Sequence, residues 1–308
     1  MKKVFIDGRN GTTGLRIDER LNCRDDIELI VLPEEKRKDL SARKEALNSA
    51  DFVFLCLPDA ASIEAVSLIE NEKVCVFDTS TAHRTNPDWA YGFPELDKTF
   101  KDKIVNSKRI AVPGCHASGF ISLIYPLVKN GIISPKTALS CYSLTGYSGG
   151  GKKMIAEYES QNRDPLLSMP RIYALSGNHK HLPEIKSVCS LENAPSFMPV
   201  VCDFYSGMEV SVPLSKNDLI KGGIEDIKKI YKDLYNGKIV SYSEENEDGF
   251  ISAGRLSGKD NMIIGVFGNE DRILLTSRYD NLGKGASGAA IECLNIKLGD
   301  DETKTLNI

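Results

Sequence analysis

The sequence has no long hydrophobic stretch, no strong excess of charge of one sign, no internal repeat and no low-complexity segment. No run approaches the roughly 18 apolar residues of a transmembrane helix, so we expect no membrane partner. The net charge of −4 gives no reason to expect nucleic acid as a partner either. The first eight residues turn acidic and reach a glycine too early for a signal peptide, which predicts a cytoplasmic protein.

Paired cysteine spacings such as C-x-x-C are also missing, although the chain has eight cysteines, so we expect reduced thiols. Cys115 is the one in a special setting, because it follows an apolar run at residues 109–112 and precedes apolar residues at helical spacing. It therefore lies at a strand-to-helix turn, where a helix N-terminus lowers the pKa of a thiol and favours the thiolate. A free cysteine is more often a small buried hydrophobe. We predict that Cys115 is a nucleophile and that the other seven cysteines are structural.

The first third of the chain alternates apolar runs with helical patterns, and its 308-residue length leaves room for two domains. The predicted strands are residues 4–6, 28–32, 52–57, 74–78 and 109–112. This alternation predicts an α/β protein with an N-terminal Rossmann-type domain built on a parallel sheet. The alternation breaks near residue 135. Strands at residues 137–145, 208–213, 261–267 and 272–276 and a helix at 224–234 then predict an α+β domain with a mostly antiparallel sheet.

A glycine-rich turn follows the first predicted strand in the pattern G-x-x-G-x-x-G, a variant of the dinucleotide fingerprint. Such a turn lets a pyrophosphate approach the N-terminus of the next helix. Other strand ends should face the same crevice. The predicted cofactor-binding residues of this region are Gly8, Arg9, Gly11, Thr12, Thr13, Gly14, Pro58 and Ser80.

The end of the second predicted strand leaves the choice of dinucleotide open, because residues 33–38 carry both signs of charge. Glu34 or Glu35 can hold the ribose of NAD, whereas the basic residues at 36–38, or Arg9, can hold the 2′-phosphate of NADP. A solvated turn is an equal alternative. The residues alone favour NADP mildly.

Three further polar segments are candidates for the substrate site, and the first two can equally be a surface loop and a flexible loop. Arg84 lies in the loop after the fourth predicted strand, and a glycine-rich turn at residues 146–153 carries Ser148 and Lys152. Residues 177–184 hold His179 and His181, which should point to opposite sides of an extended segment, so that only one faces the site. Further ligands at metal spacing are missing, so we expect no metal.

Several motifs occur together in one order from near residue 4 to near residue 298. They are the Gly loop at 8–14, Tyr-Gly-Phe-Pro-Glu-Leu at 91–96, Pro-Gly-Cys-His-Ala at 113–117, Ser-Gly-Gly-Gly-Lys at 148–152, His-Lys-His-Leu-Pro-Glu at 179–184 and Asp-Asn-Leu-Gly-Lys-Gly at 280–285. Together they resemble the N-acetyl-gamma-glutamyl-phosphate reductases of arginine biosynthesis, in their shorter form. The longer form usually has an aromatic residue in the Gly loop, where this chain has Thr12 and Thr13.

The resemblance implies NADP(H) as cofactor and N-acetyl-L-glutamyl 5-phosphate as substrate, which Cys115 converts to a thioester that is reduced to the semialdehyde. It implies that His181, or else His179, moves protons, and that Glu184 belongs to the substrate site. It also implies a nucleotide-binding domain at residues 1–112 with 281–308, in which Asn281 and Gly283 lie near the cofactor. Residues 113–280 then form the catalytic and oligomerisation domain of a homodimer or homotetramer.

Three alternatives remain at this point. An aspartate-semialdehyde dehydrogenase uses the same chemistry on a shorter substrate, and a non-catalytic NADP-binding sensor keeps the fold without an activated cysteine. The third is a cysteine hydrolase or acyltransferase, which needs no nucleotide. The strand, Gly turn and helix at the N-terminus argue against this alternative, because they are typical of a nucleotide-binding site.

Overall fold

The computed structural model describes residues 1–308, which form strands β1–β13 and helices α1–α9. The strands are β1 Lys2–Asp7, β2 Ile27–Ile30, β3 Phe52–Leu55, β4 Cys75–Asp78, β5 Ala90–Tyr91, β6 Arg109–Ala111, β7 Ser140–Gly146, β8 Arg171–Ile172, β9 Ser196–Cys202, β10 Met208–Ser215, β11 Val240–Tyr242, β12 Met262–Gly268 and β13 Arg272–Tyr279. The helices are α1 Thr12–Leu21, α2 Leu40–Ser49, α3 Asp59–Ser67, α4 Lys98–Asn106, α5 Cys115–Lys129, α6 Gly151–Tyr158, α7 Leu182–Val188, α8 Ile224–Leu234 and α9 Gly288–Leu298. No helix is both long and apolar enough to cross a membrane.

The chain divides into two compact units. The first comprises Met1–Pro94, Lys98–Gly114 and Ala286–Leu306, and the second comprises Glu95–Asp97, Cys115–Gly285 and Asn307–Ile308. Each unit is built around one sheet.

The sheet of the first unit has six strands in the order β2-β1-β3-β4-β6-β5, and every pairing is parallel. Its inner strands are apolar on both faces, because helices cover both. On one face Val4 and Phe54 pack with Leu294 of α9, and on the other Val53 packs with Leu47 of α2. The prediction of a Rossmann-type parallel sheet is therefore confirmed.

The sheet of the second unit has seven strands in the order β11-β12-β13-β10-β7-β9-β8. The β7–β9 and β11–β12 pairs are parallel, and the other four pairs are antiparallel. The prediction of a mostly antiparallel sheet is confirmed.

Helix α5 packs on β10 and β13 and also against α7 and α8. Elements on several sides of a helix require apolar side chains nearly all round it, and Phe120, Ile121, Leu123, Ile124 and Leu127 are fully buried. Cys115 is the first residue of this helix, as the sequence predicts.

Several predicted elements have different bounds in the structure. The glycine-rich turn at residues 146–153 becomes a 3-10 turn, Tyr147–Gly150, followed by α6. The apolar spacing of residues 284–298 predicts one last helix there, but Gly283–Ser287 form a π-helical turn and α9 begins only at Gly288. Helix α8 has the predicted bounds.

Candidate active site

A cleft of about 560 Å³ in the first unit lies at the carboxyl ends of β1 and β3, where the strand order reverses. Its size falls in the range of roughly 300–1,000 Å³ that is typical of small-molecule sites, and reversal points of this kind bind ligands in open parallel sheets. Gly8, Arg9 and Gly11 line it, together with Leu57 and Lys38.

The turn after β1 is built for close approach of a ligand backbone. Gly8 has a φ of +86°, and a Cβ there would lie 2.2 Å from the carbonyl oxygen of Cys56, so only glycine fits. Gly11 is the N-cap of α1, whose first turn begins with Thr12 and Thr13, and no side chain caps this helix. Its N-terminal N–H groups therefore suit a pyrophosphate.

The charged rim of this cleft is largely paired within the protein. Arg9 donates from Nε and Nη2 to both carboxylate oxygens of Asp18, at 2.6 and 2.8 Å. Arg37 forms an ion pair with Glu34, and both line the cleft. Lys38 is the third cation on this rim. The cleft is therefore lined both by acidic residues that can hold the ribose of NAD and by basic residues that can hold the 2′-phosphate of NADP.

The loop after β4 is held by Asp78. Its carboxylate accepts hydrogen bonds from the backbone N–H and hydroxyl of Ser80, at 2.9 and 2.7 Å, and pairs with Nδ1 of His83 at 2.6 Å. Arg84 is buried and donates from Nε to the carbonyl of Val112 and from Nη2 to that of Thr79. Pro58 is the N-cap of α3.

Cys115 differs from most of the other cysteines in its surroundings. It is half-buried, forms no disulfide and begins α5, where the helix dipole favours a thiolate. Burial raises the pKa of Cys56 to about 12 and that of Cys75 to about 11. Burial also raises the pKa of Cys141, Cys189 and Cys202, which favours inert thiols there.

A cavity of the second unit joins Cys115 to three histidines, His116, His179 and His181. The ring centroids of His179 and His181 are 4.7 Å apart, and that of His116 lies 5.3 and 5.7 Å from them. The expectation that only one of His179 and His181 faces the site is wrong. The chain turns here, with Leu182 N–H donating to the carbonyl of His179, so the alternation of an extended segment does not apply.

The environment of each histidine gives it a different chemical character. His116 is buried between two hydroxyls, with Nδ1 2.6 Å from Ser143 Oγ and Nε2 2.6 Å from Tyr173 Oη, and desolvation lowers its pKa to about 3. Desolvation and, less strongly, Lys180 lower the pKa of His179 to about 4. The backbone N–H of His181 donates to Nδ1 of His179 at 3.2 Å, which places the proton of a neutral His179 on Nε2.

Some lining residues are not among the sequence-based candidates. Thr145, Tyr173, Lys180 and Met154 line the cavity with Cys115. Lys180 lies inside the His-x-His motif and could have been found from it. Tyr173 has no sequence signal, because its contact with His116 spans 57 residues.

The other predicted residues of this unit lie outside the cavity lining. Ser148 is buried and accepts a hydrogen bond at 3.0 Å from Nδ2 of Asn281, so these two meet. Gly283 donates its N–H to Asp280 at the start of the π-helical turn. Glu184 is buried in the first turn of α7, and Lys152 is exposed on α6. No group of three or more His, Cys, Asp or Glu has the geometry to hold a metal ion.

Comparison with known proteins agrees with this arrangement. Residues 3–104 match the family model for the semialdehyde dehydrogenase NAD binding domain, and residues 115–281 match the semialdehyde dehydrogenase dimerisation domain. Aspartate semialdehyde dehydrogenase II of Vibrio cholerae has a similar fold, with a TM-score of 0.73 at 16% identity over 97% of this chain and 99% of that one. The aspartate semialdehyde dehydrogenase of Candida albicans, solved with NADP, gives a TM-score of 0.69 at 16% identity over 96% and 98%.

Curated relatives are much closer in sequence. The N-acetyl-gamma-glutamyl-phosphate reductase of Sinorhizobium medicae is 44% identical over 96% of this chain and 98% of its own. That of Brucella ovis is 43% identical over 96% and 99%. Because this identity extends over both units, the chain belongs to the N-acetyl-gamma-glutamyl-phosphate reductase family of semialdehyde dehydrogenase-like proteins.

Proposed function

We propose that this protein catalyses the NADPH-dependent reduction of N-acetyl-L-glutamyl 5-phosphate to N-acetyl-L-glutamate 5-semialdehyde and phosphate, a reaction of arginine biosynthesis. One observation carries the proposal: in a chain of this family, a thiol at the first residue of a buried helix shares a cavity with His179 and His181.

Cys115 is the nucleophile of this reaction. Its thiolate attacks the acyl carbon, a C–S bond forms and the C–O bond to phosphate breaks, which leaves a thioester on Cys115. A thiol suits both halves of the reaction because it attacks well and leaves well. After reduction at that carbon, the C–S bond breaks, the aldehyde leaves and the thiolate is restored.

The histidines divide the proton chemistry between them. Both ring nitrogens of His116 are hydrogen-bonded to hydroxyls, so His116 has a structural role and is not the residue that transfers protons. His179 is neutral near pH 7 and donates from Nε2 towards the substrate carbonyl. His181 is then the residue that transfers protons to and from the reacting sulfur and oxygen.

The cleft beside Gly8 fits a dinucleotide, because its glycine leaves no room for a side chain and the N-terminus of α1 has no side-chain cap. We assign the cofactor-binding role to this turn, with Pro58 and Ser80 as further contacts, and the assignment of Asn281 and Gly283 stays a prediction of the family resemblance. NADPH, when bound, supplies the hydride. The pairing of Arg9 with Asp18 makes Lys38 the stronger candidate for the 2′-phosphate.

Arg84, Ser148, Lys152 and Glu184 stay predictions as substrate residues. To them we add Lys180, because it lines the same cavity as Cys115 and its positive charge can attract an anionic substrate. The division into a nucleotide-binding domain of residues 1–112 with 281–308 and a catalytic domain of residues 113–280 stays a prediction, and it differs from the compact units chiefly at residues 281–285, which lie in the second unit. The cytoplasmic location and the choice between homodimer and homotetramer are also predictions.

The test is the reverse reaction, followed by NADPH absorbance. The enzyme receives N-acetylglutamate semialdehyde, phosphate and NADP, and in a parallel assay aspartate semialdehyde replaces the first aldehyde. Turnover that requires phosphate and prefers the first aldehyde supports the proposal. Preference for aspartate semialdehyde would reassign the substrate, and absence of turnover from folded, NADPH-binding protein would favour the sensor alternative.

A further inference from the structure

The hydroxyl of Tyr279 touches the backbone that carries the nucleophile. Tyr279 is the last residue of β13, has 0% exposure and lies in register with Met208 of β10 and Met262 of β12. Its Oη donates to the carbonyl oxygen of Cys115 at 2.6 Å and accepts from the N–H of Gly119 at 3.1 Å. A side chain at the end of an inner strand, paired on both sides, therefore reaches the first turn of α5.

Cys115 and Gly119 are four residues apart, which is the spacing that the α-helical hydrogen-bond ladder pairs. The Tyr279 hydroxyl bridges this pair, because it accepts from the N–H of Gly119 and donates to the carbonyl of Cys115. It thus links the same two groups that the helical hydrogen bond links. Burial raises the pKa of Tyr279 well above its usual value, so the hydroxyl keeps its proton.

Gly119 is what allows this approach. A Cβ at this position would lie 2.5 Å from Tyr279 Oη and 2.4 Å from Cγ2 of Val210. A Cβ on Gly285, in the π-helical turn, would likewise lie 3.1 Å from Cβ of Cys115. The first turn of α5, which begins with Cys115, is thus in close contact with Tyr279, Val210 and Gly285.

We propose that Tyr279 is a positioning residue, whose hydroxyl holds the first turn of α5 so that the Cys115 thiol keeps the orientation required for attack. This proposal rests on Cys115 being the nucleophile of the proposed function. Without the hydroxyl, the Cys115 carbonyl loses its link to the sheet, and the thiol moves relative to the N–H groups that favour its thiolate.

The test compares Tyr279→Phe with Tyr235→Phe. Tyr235 is a matched control, because it is 1% exposed and its hydroxyl also donates, at 2.6 Å, to a carbonyl of α5, that of Ser122. Alkylation of Cys115 by iodoacetamide is followed by mass spectrometry across pH, with exposed Cys23 as the reference thiol in the same molecule. Unfolding in urea, the affinity for NADPH and kcat with KM are measured on the same preparations.

We expect both variants to lose similar stability, but only Tyr279→Phe to alkylate Cys115 about tenfold more slowly at pH 7, with a higher pH midpoint. Its kcat should fall about tenfold, with NADPH affinity unchanged. The proposal would be overturned if Tyr279→Phe alkylated Cys115 at the wild-type rate at every pH. It would also be overturned if the rate of Cys115 alkylation and kcat fell equally in Tyr279→Phe and Tyr235→Phe.

If Tyr279→Phe does not fold, Gly119→Ala perturbs the same contact from the helix side and should slow alkylation in the same way. Normal alkylation of folded Gly119→Ala would then overturn the proposal. Because alkylation needs no substrate, a wild type that fails to reduce the acyl phosphate refutes the proposed function while leaving the role of Tyr279 open to this test.

Discussion

The buried, neutral His116 should make folding stability depend on pH. Its pKa falls from 6.5 to about 3 in the folded protein, chiefly because of desolvation. Between these two pKa values the unfolded chain binds a proton at His116 that the folded protein does not bind. The contribution of His116 to the free energy of unfolding is therefore fully present above pH 6.5 and is lost as the pH falls below it. Replacing His116 with glutamine removes the titrating group and keeps one donor and one acceptor for Ser143 and Tyr173.

The size of the effect follows from the distance between pH and the unfolded pKa. At about pH 5 the unfolded histidine is about 1.5 units below its pKa while the folded one is still neutral, which corresponds to about 2 kcal/mol. Urea unfolding at about pH 7.5 and about pH 5 measures this. Wild type should lose about 2 kcal/mol more than His116→Gln over this interval, whatever the variant costs at the higher pH.

Ser143→Ala is the control, because it removes a hydrogen bond of His116 without removing the titrating ring. It should be less stable than wild type at both pH values but should keep the wild-type pH dependence. If His116→Gln showed that same dependence, the desolvated, neutral state assigned to His116 would be wrong.

Three further predictions concern the reaction and its cofactor. Cys115→Ser should lower reductase turnover by more than about a thousandfold while NADPH binding survives, and retained turnover would exclude Cys115 as the nucleophile. His181→Asn should lower kcat more than His179→Asn in steady-state assays, since only His181 is proposed to transfer protons, and the reverse order would exchange their roles. NADPH should bind more tightly than NADH by fluorescence titration, and Lys38→Ala should reduce this preference more than Arg9→Ala, whose guanidinium is already paired. A larger effect of Arg9→Ala would return the 2′-phosphate to that residue.

The elements that could be predicted from sequence are those whose burial pattern is local. Strand β3 is buried at every position, so its apolar run is continuous, and α8 has one apolar face with regular helical spacing. The sequence does not indicate strand β9, because it contains Pro199 and prolines are rare inside sheets. Helix α7 was missed because its seven residues are too few to establish a period.

In the site, too, the residues that can be predicted from sequence are those whose setting is a local pattern. Cys115 could be found because the strand before it and the helix after it are both local patterns. The shared orientation of His179 and His181 depends on a turn whose hydrogen bond the sequence does not reveal. Tyr173 and Tyr279 were missed because their partners lie 57 and 164 residues away in sequence.

The proposed nucleophile, Cys115, begins the helix α5, which lies in the core of the second unit, so its position is tied to the packing of that core. Catalytic residues are found disproportionately often on loops, which are more mobile than the elements they connect. Here any displacement of α5 disturbs Phe120 and Leu127, which are fully buried, and each such side chain contributes about 1.5–3 kcal/mol through burial. Moving the backbone of Cys115 together with α5 is therefore costly in free energy. A reaction that requires a thiolate to meet an acyl carbon at a fixed angle gains from this restraint, because orientation that the core has already imposed does not have to be created in the transition state.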